Sequence, residues 1–242
     1  MPESELWITR IFNDFLPGVG NAALHLVGKP SEPRPWADFV VMQIVVVLLL
    51  MILALLLRMR LSVDRPGKLQ HTFELVYEFI YGQAEDQVGH EAHHYVAFFG
   101  TIFLFILTCN LIGIIPAFES PTKIVSVTCG CAIATFLYYN LTGLQEHGFK
   151  YIFTFMGPKW WLAPLMFPIE IVSHLARPLS LTIRLYANMF AGEQVTLVFL
   201  KLTKLLIPVV FMGLHMFVGI IQAYIFMLLT MAYVGGSVAH EH

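Results

Sequence analysis

Apolar positions along the chain gather into blocks long enough to cross lipid. Residues 39–57 give 19 positions with Gln43 as the one strongly polar side chain, which predicts a first membrane helix, since a core of about 30 Å needs about 20 helical residues. Residues 66–89 differ: Phe73, Val76, Tyr77 and Ile80 alternate with Glu74, Glu78, Glu85 and Asp86. That half-apolar pattern predicts an amphipathic helix lying on the membrane surface. Tyr95–Phe118 predicts a second span, and Pro116 with the "ESPT" turn leads into a third from Ile124 to about Leu144. Before all of these, residues 5–16 mix apolar and charged positions at helical spacing, and a Pro/Gly-rich stretch over 28–35 follows. An interfacial helix and linker are expected there, making residues 1–35 an N-terminal segment ahead of one membrane domain at 36–242.

The last two apolar blocks exceed a normal span. Leu162–Leu200 covers 39 residues and Leu205–Val234 covers 30, about 58 and 45 Å as helices. Kept straight within the hydrocarbon, they would tilt by about 60° and 50°, unless Pro168 and Pro178 break the first. The expected fold is all-α and polytopic: about five membrane helices plus a surface helix, the last two forming a strongly tilted antiparallel hairpin joined near Lys201–Pro208.

Composition agrees. The chain is 57% hydrophobic and 12% charged, against about 45–50% and 25% for a soluble domain. Its formal net charge of -2, with basic residues scattered through short loops, excludes a nucleic-acid surface. Cys109, Cys129 and Cys131 lie in apolar runs without redox or zinc spacing and read as small hydrophobes. Neither a basic leader nor a continuous apolar h-region opens the chain, so no cleavable signal peptide is expected. Arg58, Arg60, Arg65 and Lys68 follow the first span against Asp64, whereas the 38 residues before it hold five acids and three bases. The N-terminus is therefore expected outside and, after five spans, the C-terminus in the cytoplasm.

Against this apolar background the polar residues of the two long helices stand out: Glu170, His174, Arg177, Arg184, Asn188, Glu193, His215 and Gln222. A charge at mid-bilayer costs about 2.5–3.5 kcal/mol on the lenient insertion scale, so the group needs a shared reason, by default a path for ions or protons. Arg177, Ser180, Arg184, Ala187, Asn188 and Ala191 fall on one stripe of small or polar residues, open to close approach by another helix. Glu170 precedes Arg184 by about 21 Å near the same face, and Glu193 follows it by about 13.5 Å on the opposite face. In an antiparallel hairpin centred near residues 203 and 204, one register faces Arg184 with Gln222 and Glu193 with His215. Glu193, His215 and Glu170 can exchange protons near neutral pH when their surroundings shift them, while Arg184 cannot. A fixed cation between two titratable clusters implies two offset half-channels. Two readings stay open for Glu193 and His215, a proton path or a structural hydrogen-bonded pair. Arg177 reads as an interfacial anchor, His174 as packing, and Asn110 as a bridge between helices.

These residues carry a resemblance. "ARPLSLTIRLYANMFAGE" followed by "HMFVGIIQAYIFMLLTMAYV" resembles subunit a of the F-type ATP synthase membrane sector, and "FLFILTCNLIGIIPAFESPT" resembles that family's middle hairpin. The resemblance spans roughly residues 36–236. It implies a non-catalytic, proton-translocating stator subunit of an enzyme complex, exchanging protons with the carboxylates of a rotating c-subunit ring. By motif position Arg184 is the essential arginine facing that carboxylate, with Asn188 and Gln222 beside it. Glu193 and His215 belong to the outer half-channel, and Glu170 marks the cytoplasmic one. Gly113 stands where some relatives carry a carboxylate, so it is given no proton role. The resemblance further implies a b-subunit peripheral stalk, other ATP synthase subunits and lipid as partners, a bacterial inner-membrane location, no cofactor and no metal.

Two rivals remain in view. "HEAHH" at 90–94 is a literal H-E-x-x-H, in which His90 and His94 would bind zinc with Glu91 as base, and a third ligand would be needed. A stand-alone channel or transporter is the other, opposed by the missing inverted repeat. "GLQEHGFK" falls short of a phosphate loop, so nucleotide chemistry is expected on other subunits.

Overall fold

Every element of the described structure is helical, and the reason is the solvent the sequence anticipates: in lipid only a helix or a closed barrel satisfies its own backbone. The computed structural model describes residues 5–26, 28, 30–62, 67–89, 91–115, 118–148, 163–202 and 206–238. In chain order the helices are α1 (Trp7–Phe15), α2 (Pro17–Leu26), α3 (Asp38–Met59), α4 (Lys68–Val88), α5 (Val96–Ile112), α6 (Val125–His147), α7 (Ala163–Leu202) and α8 (Leu206–Val238). Single 3₁₀ turns at Ala92–His94 and Pro121–Lys123 precede α5 and α6. No strand occurs among the described residues.

By length and apolarity α3, α6 and α8 can each cross a membrane. Helix α5 is apolar but shorter, at 17 residues. The expected span 95–118 therefore ends early, at Ile112. At Gly113 the chain folds back so tightly that an added Cβ would stand 2.5 Å from Cβ of Ser120. A buried relay fixes that return. Thr122 Oγ1 donates to Asn110 Oδ1 at 2.7 Å, and Asn110 Nδ2 donates to the Gly219 carbonyl on α8 at 2.9 Å. Ser120 Oγ lies 2.7 Å from Thr122 Oγ1 and donates to the Cys109 carbonyl at 3.0 Å. Asn110 thus bridges helices, as its sequence context suggested.

Helices α7 and α8, of 40 and 33 residues, pack antiparallel on each other and against α5 and α6. At about 60 and 50 Å they outrun a core of about 30 Å and must incline to stay within it. Pro168 and Pro178 lie inside α7 without ending it, so the break the sequence allowed does not occur. Pro178 offers no N–H to the His174 carbonyl, and the neighbouring contacts hold the helix together. Buried Leu181, Leu185 and Met189 of α7 meet Ile102 and Ile106 of α5, Cys131 and Ala132 of α6, and Ala223 and Phe226 of α8. Hydroxyls within the helices are satisfied locally: Thr101, Thr108, Thr182, Thr196 and Thr230 each donate to the carbonyl four residues back, which lowers the cost of a hydroxyl in apolar surroundings.

Helix α4 turns part of its apolar surface against protein, while Leu75, Tyr77 and Phe79 stay exposed. Val76, Ile80 and Ala84 join a core with Met227, Met231 and Val234 of α8. Tyr224 Oη donates to Gln83 Oε1 at 3.1 Å, and Gly235 meets the Gln87 carbonyl so closely that a Cβ there would stand 2.4 Å from the oxygen. The N-terminal segment, expected as one helix and a linker, contains two helices. It is fixed to the start of α3 by reciprocal bonds between Asn13 and Trp36, 3.2 and 3.0 Å, and by the Leu6 amide on Asp38 Oδ1 at 3.2 Å.

Candidate functional site: polar clusters along the α7–α8 hairpin

The hairpin register can be read from four facing pairs. Asn188 Nδ2 donates to Gln222 Oε1 at 2.6 Å. Gly219 lies 4.0 Å, measured from an added Cβ, from Met189 Sδ, and Gly192 lies directly under the His215 ring, where an added Cβ would come within 2.2 Å of Nδ1. Phe199 and Phe211 stack with centroids 4.1 Å apart. The antiparallel pairing expected from sequence is present, displaced by up to one turn. Gln222 therefore meets Asn188 rather than Arg184, and His215 meets Gly192, the neighbour of Glu193. The displacement goes with Gly192, which admits the His215 ring at close range, whereas Gly219 makes its tight approach to Asn110 of α5, 3.3 Å from an added Cβ.

Arg184 lies on the open side of α7 with Ser180, Ala187, Asn188 and Ala191, all exposed. The expected stripe of small and polar residues is thus open from Ser180 to Ala191, while its first member, Arg177, is half-buried. Among the described residues no carboxylate forms an ion pair with Arg184. Gln222 is 1% exposed, and its Nε2 has no protein partner while Oε1 accepts from Asn188. On the open strip, Arg184 therefore offers N–H groups to an incoming acceptor, while the unpaired Gln222 Nε2 is buried behind it.

Toward the start of α7 is a second cluster. Glu170 Oε1 is 3.6 Å from His174 Nε2, and Tyr139 Oη of α6 is 3.0 Å from His174 Nδ1. The Arg177 guanidinium stands 5.8 Å from the Tyr139 ring centroid and 5.3 Å from that of Tyr233, in range for cation–π attraction. His174, read from sequence as packing, is thereby linked to Glu170. Arg177, read as an interfacial anchor, is seated between aromatic rings.

Toward the other end of α7 is the third cluster. Glu193 and His215 line one cavity of about 300 Å³ with Glu119 and Gly113. They form no hydrogen bond with each other among the described contacts. Instead Lys123 Nζ donates to Glu193 Oε1 at 3.0 Å and pairs with Glu119 Oε2 at 2.9 Å. The direct Glu193–His215 pair left open by the sequence is thus replaced by a lysine bridge from the α5–α6 turn. Sequence reasoning missed Lys123 and Glu119. The available signal was a lysine in a turn assigned to the outer side, against the usual inward bias of basic residues.

The H-E-x-x-H reading does not gain a site. His90 lies outside the described residues, Ala92–His94 form a 3₁₀ turn, and no cluster of three metal-ligating side chains occurs among the described residues. Lys204, within the expected hairpin turn, also lies outside them.

These features define a polytopic α-helical membrane protein whose two longest helices carry ionisable side chains within their apolar length. Residues 39–235 match the family described as ATP synthase A chain. The chain is 66% identical over 233 residues to ATP synthase subunit a of Solibacter usitatus, covering 96% of this chain and all of the relative. It is 47% identical over 241 residues to ATP synthase subunit a of Koribacter versatilis, covering 98% of each. Against the Geobacter sulfurreducens subunit a the identity is 44% over 177 residues, 73% of this chain and 77% of the relative. The chain belongs to the ATP synthase A chain family.

Proposed function

We propose that the chain is the proton-translocating stator subunit of a bacterial F-type ATP synthase, with Arg184 separating two half-channels. The observation that supports this most strongly is the location of Arg184: an arginine without an ion-pair partner among the described residues, on an open strip of α7, between Glu170–His174 and Glu193–His215. A cation at membrane depth is costly when alone and stabilised by a carboxylate brought to it. The ring of c subunits supplies that carboxylate in this reading, approaching along Ser180, Arg184, Ala187, Asn188 and Ala191.

Protons enter from the outer side through the cavity at Glu193 and His215 and pass to a ring carboxylate near Asn188 and Gln222. The neutralised carboxylate can then move into lipid. After a revolution it reaches the Glu170 side, gives up its proton there, and is drawn as an anion to Arg184. Because the guanidinium keeps its proton at all relevant pH values, it cannot relay protons between the clusters. Each charge that crosses carries about 2.3 kcal/mol per 100 mV, and the offset entry and exit convert that into rotation. Glu170 marks the cytoplasmic exit, with the N-terminus outside and the C-terminus on the cytoplasmic side of the bacterial inner membrane. A b-subunit stalk and lipid cover the apolar faces that remain, and residues 36–242 act as one membrane domain. The coupling ion is the proton, and no cofactor or metal takes part.

The test is proton-driven ATP synthesis by Arg184→Ala complexes in vesicles, with assembly checked by co-purification of the ring. Synthesis should fall at least about a hundredfold, the effect of losing a charge pair worth about 3 kcal/mol. Wild-type synthesis in assembled complexes would overturn the mechanism.

A further inference from the structure

The connection between α5 and α6 carries a feature beyond the half-channel scheme. Lys123 divides its ammonium between Glu119 at 2.9 Å and Glu193 at 3.0 Å. A second cavity, of about 310 Å³, lies against the same turn and is lined by Glu5, Thr9, Asp38, Glu119 and Lys123. Glu119 and Ser120 line both cavities, so the Glu119–Lys123 pair stands at the partition between the N-terminal segment and the chamber of Glu193 and His215. The turn is rigidly mounted, because Ser120, Thr122 and Asn110 are buried and bonded through to the Gly219 carbonyl. The charged and titratable groups that meet there are Glu5 beside α1, Asp38 of α3, Glu119 and Lys123 of the turn, Glu193 of α7 and His215 of α8.

We propose that Lys123 is a positioning residue for proton entry: shared between Glu119 and Glu193 at the partition of the two cavities, it fixes the Glu193 carboxylate and sets the outer pH at which that group loads. This rests on Glu193 being the outer proton acceptor. Burial opposes the charge on Lys123, but its bonds to Glu119 and Glu193 outweigh that and hold the ammonium above its ordinary range. It therefore stays cationic throughout the working range and acts as a fixed charge. A carboxylate beside a fixed cation takes up a proton less readily, and Glu119 moderates the effect by competing for the same ammonium. The two neighbours thus push loading in opposite directions.

The experiment measures ATP synthesis by the assembled complex in vesicles against outer pH, at constant total driving force, for wild type, Lys123→Gln, Lys123→Arg, Glu119→Gln and Glu193→Gln. Lys123→Gln should move the outer pH of half-maximal rate upward by about half a unit to one unit, and Glu119→Gln should move it downward by a smaller step. Lys123→Arg should keep the wild-type profile. Unmoved midpoints in both neutral variants, with Glu193→Gln slowed, would overturn the role of Lys123 and leave the half-channel intact. Wild-type behaviour of Glu193→Gln would overturn the half-channel assignment itself. If Lys123→Gln fails to assemble, the downward step in Glu119→Gln decides: present, it supports the proposal, and absent, it refutes it.

Discussion

The Asn188 side-chain amide donates to Gln222 Oε1 at 2.6 Å across the α7–α8 hairpin, one helical turn beyond Arg184. The pair is asymmetric, since Gln222 is almost fully buried while Asn188 lies on the open strip. Arg184 is thereby left facing outward from the hairpin, next to a preformed amide pair.

That asymmetry predicts unequal costs. Asn188→Leu strands the buried amide of Gln222, a penalty of about 1–3 kcal/mol. Replacing both by Leu removes the stranded group and should recover part of the loss. Thermal dissociation of the purified complex, compared across the two single variants and the double variant, gives the coupling. Additive losses would show that the bond contributes nothing.

Gly192 is required by the His215 ring. An Ala methyl there would fall 2.2 Å from Nδ1, so Gly192→Ala must displace the imidazole from its cavity. ATP-driven proton pumping should fall about tenfold, and shortening the ring side chain in Gly192→Ala/His215→Ala should return packing, read as complex yield, without returning full transport. Equal pumping in wild type and Gly192→Ala would show that the position of His215 is unimportant.

Glu193→Gln and His215→Ala should each slow transport less than loss of Arg184, because water in a cavity of about 300 Å³ can carry protons past one missing group. The difference will show at limiting driving force. Unchanged rates for both would remove them from the path.

Gly113→Val should disrupt assembly. Its side chain would collide with Ser120, where even a Cβ would be 2.5 Å away, and the relay through Thr122 and Asn110 would open. Overpacking of this kind costs about 1–3 kcal/mol, and subunit recovery after membrane solubilisation measures it.

Much of this architecture is legible in the chain because lipid imposes a simple code. Residues 39–57 predicted α3 within two residues at either end, and the excess length of the last two blocks predicted the hairpin. The spacing of polar residues fixed its register to within a turn. The remaining displacement goes with Gly192, whose effect depends on the His215 ring that stands opposite. Lys123 was illegible for a related reason: its partner Glu193 is 70 residues away, and the turn that delivers it depends on a bond from Asn110 to a carbonyl 109 residues along the chain. Helix α5 ended early because Gly113, inside an apolar run, marks a fold-back that hydrophobic periodicity does not register.

The central claim is that Arg184 keeps two half-channels apart. It is tested most directly by measuring, in the same vesicles of assembled Arg184→Ala complex, coupled ATP synthesis and passive proton flux under an imposed potential. Synthesis should be lost while protons still cross between ring and stator. Synthesis at the wild-type rate, with no increase in leak, would contradict it.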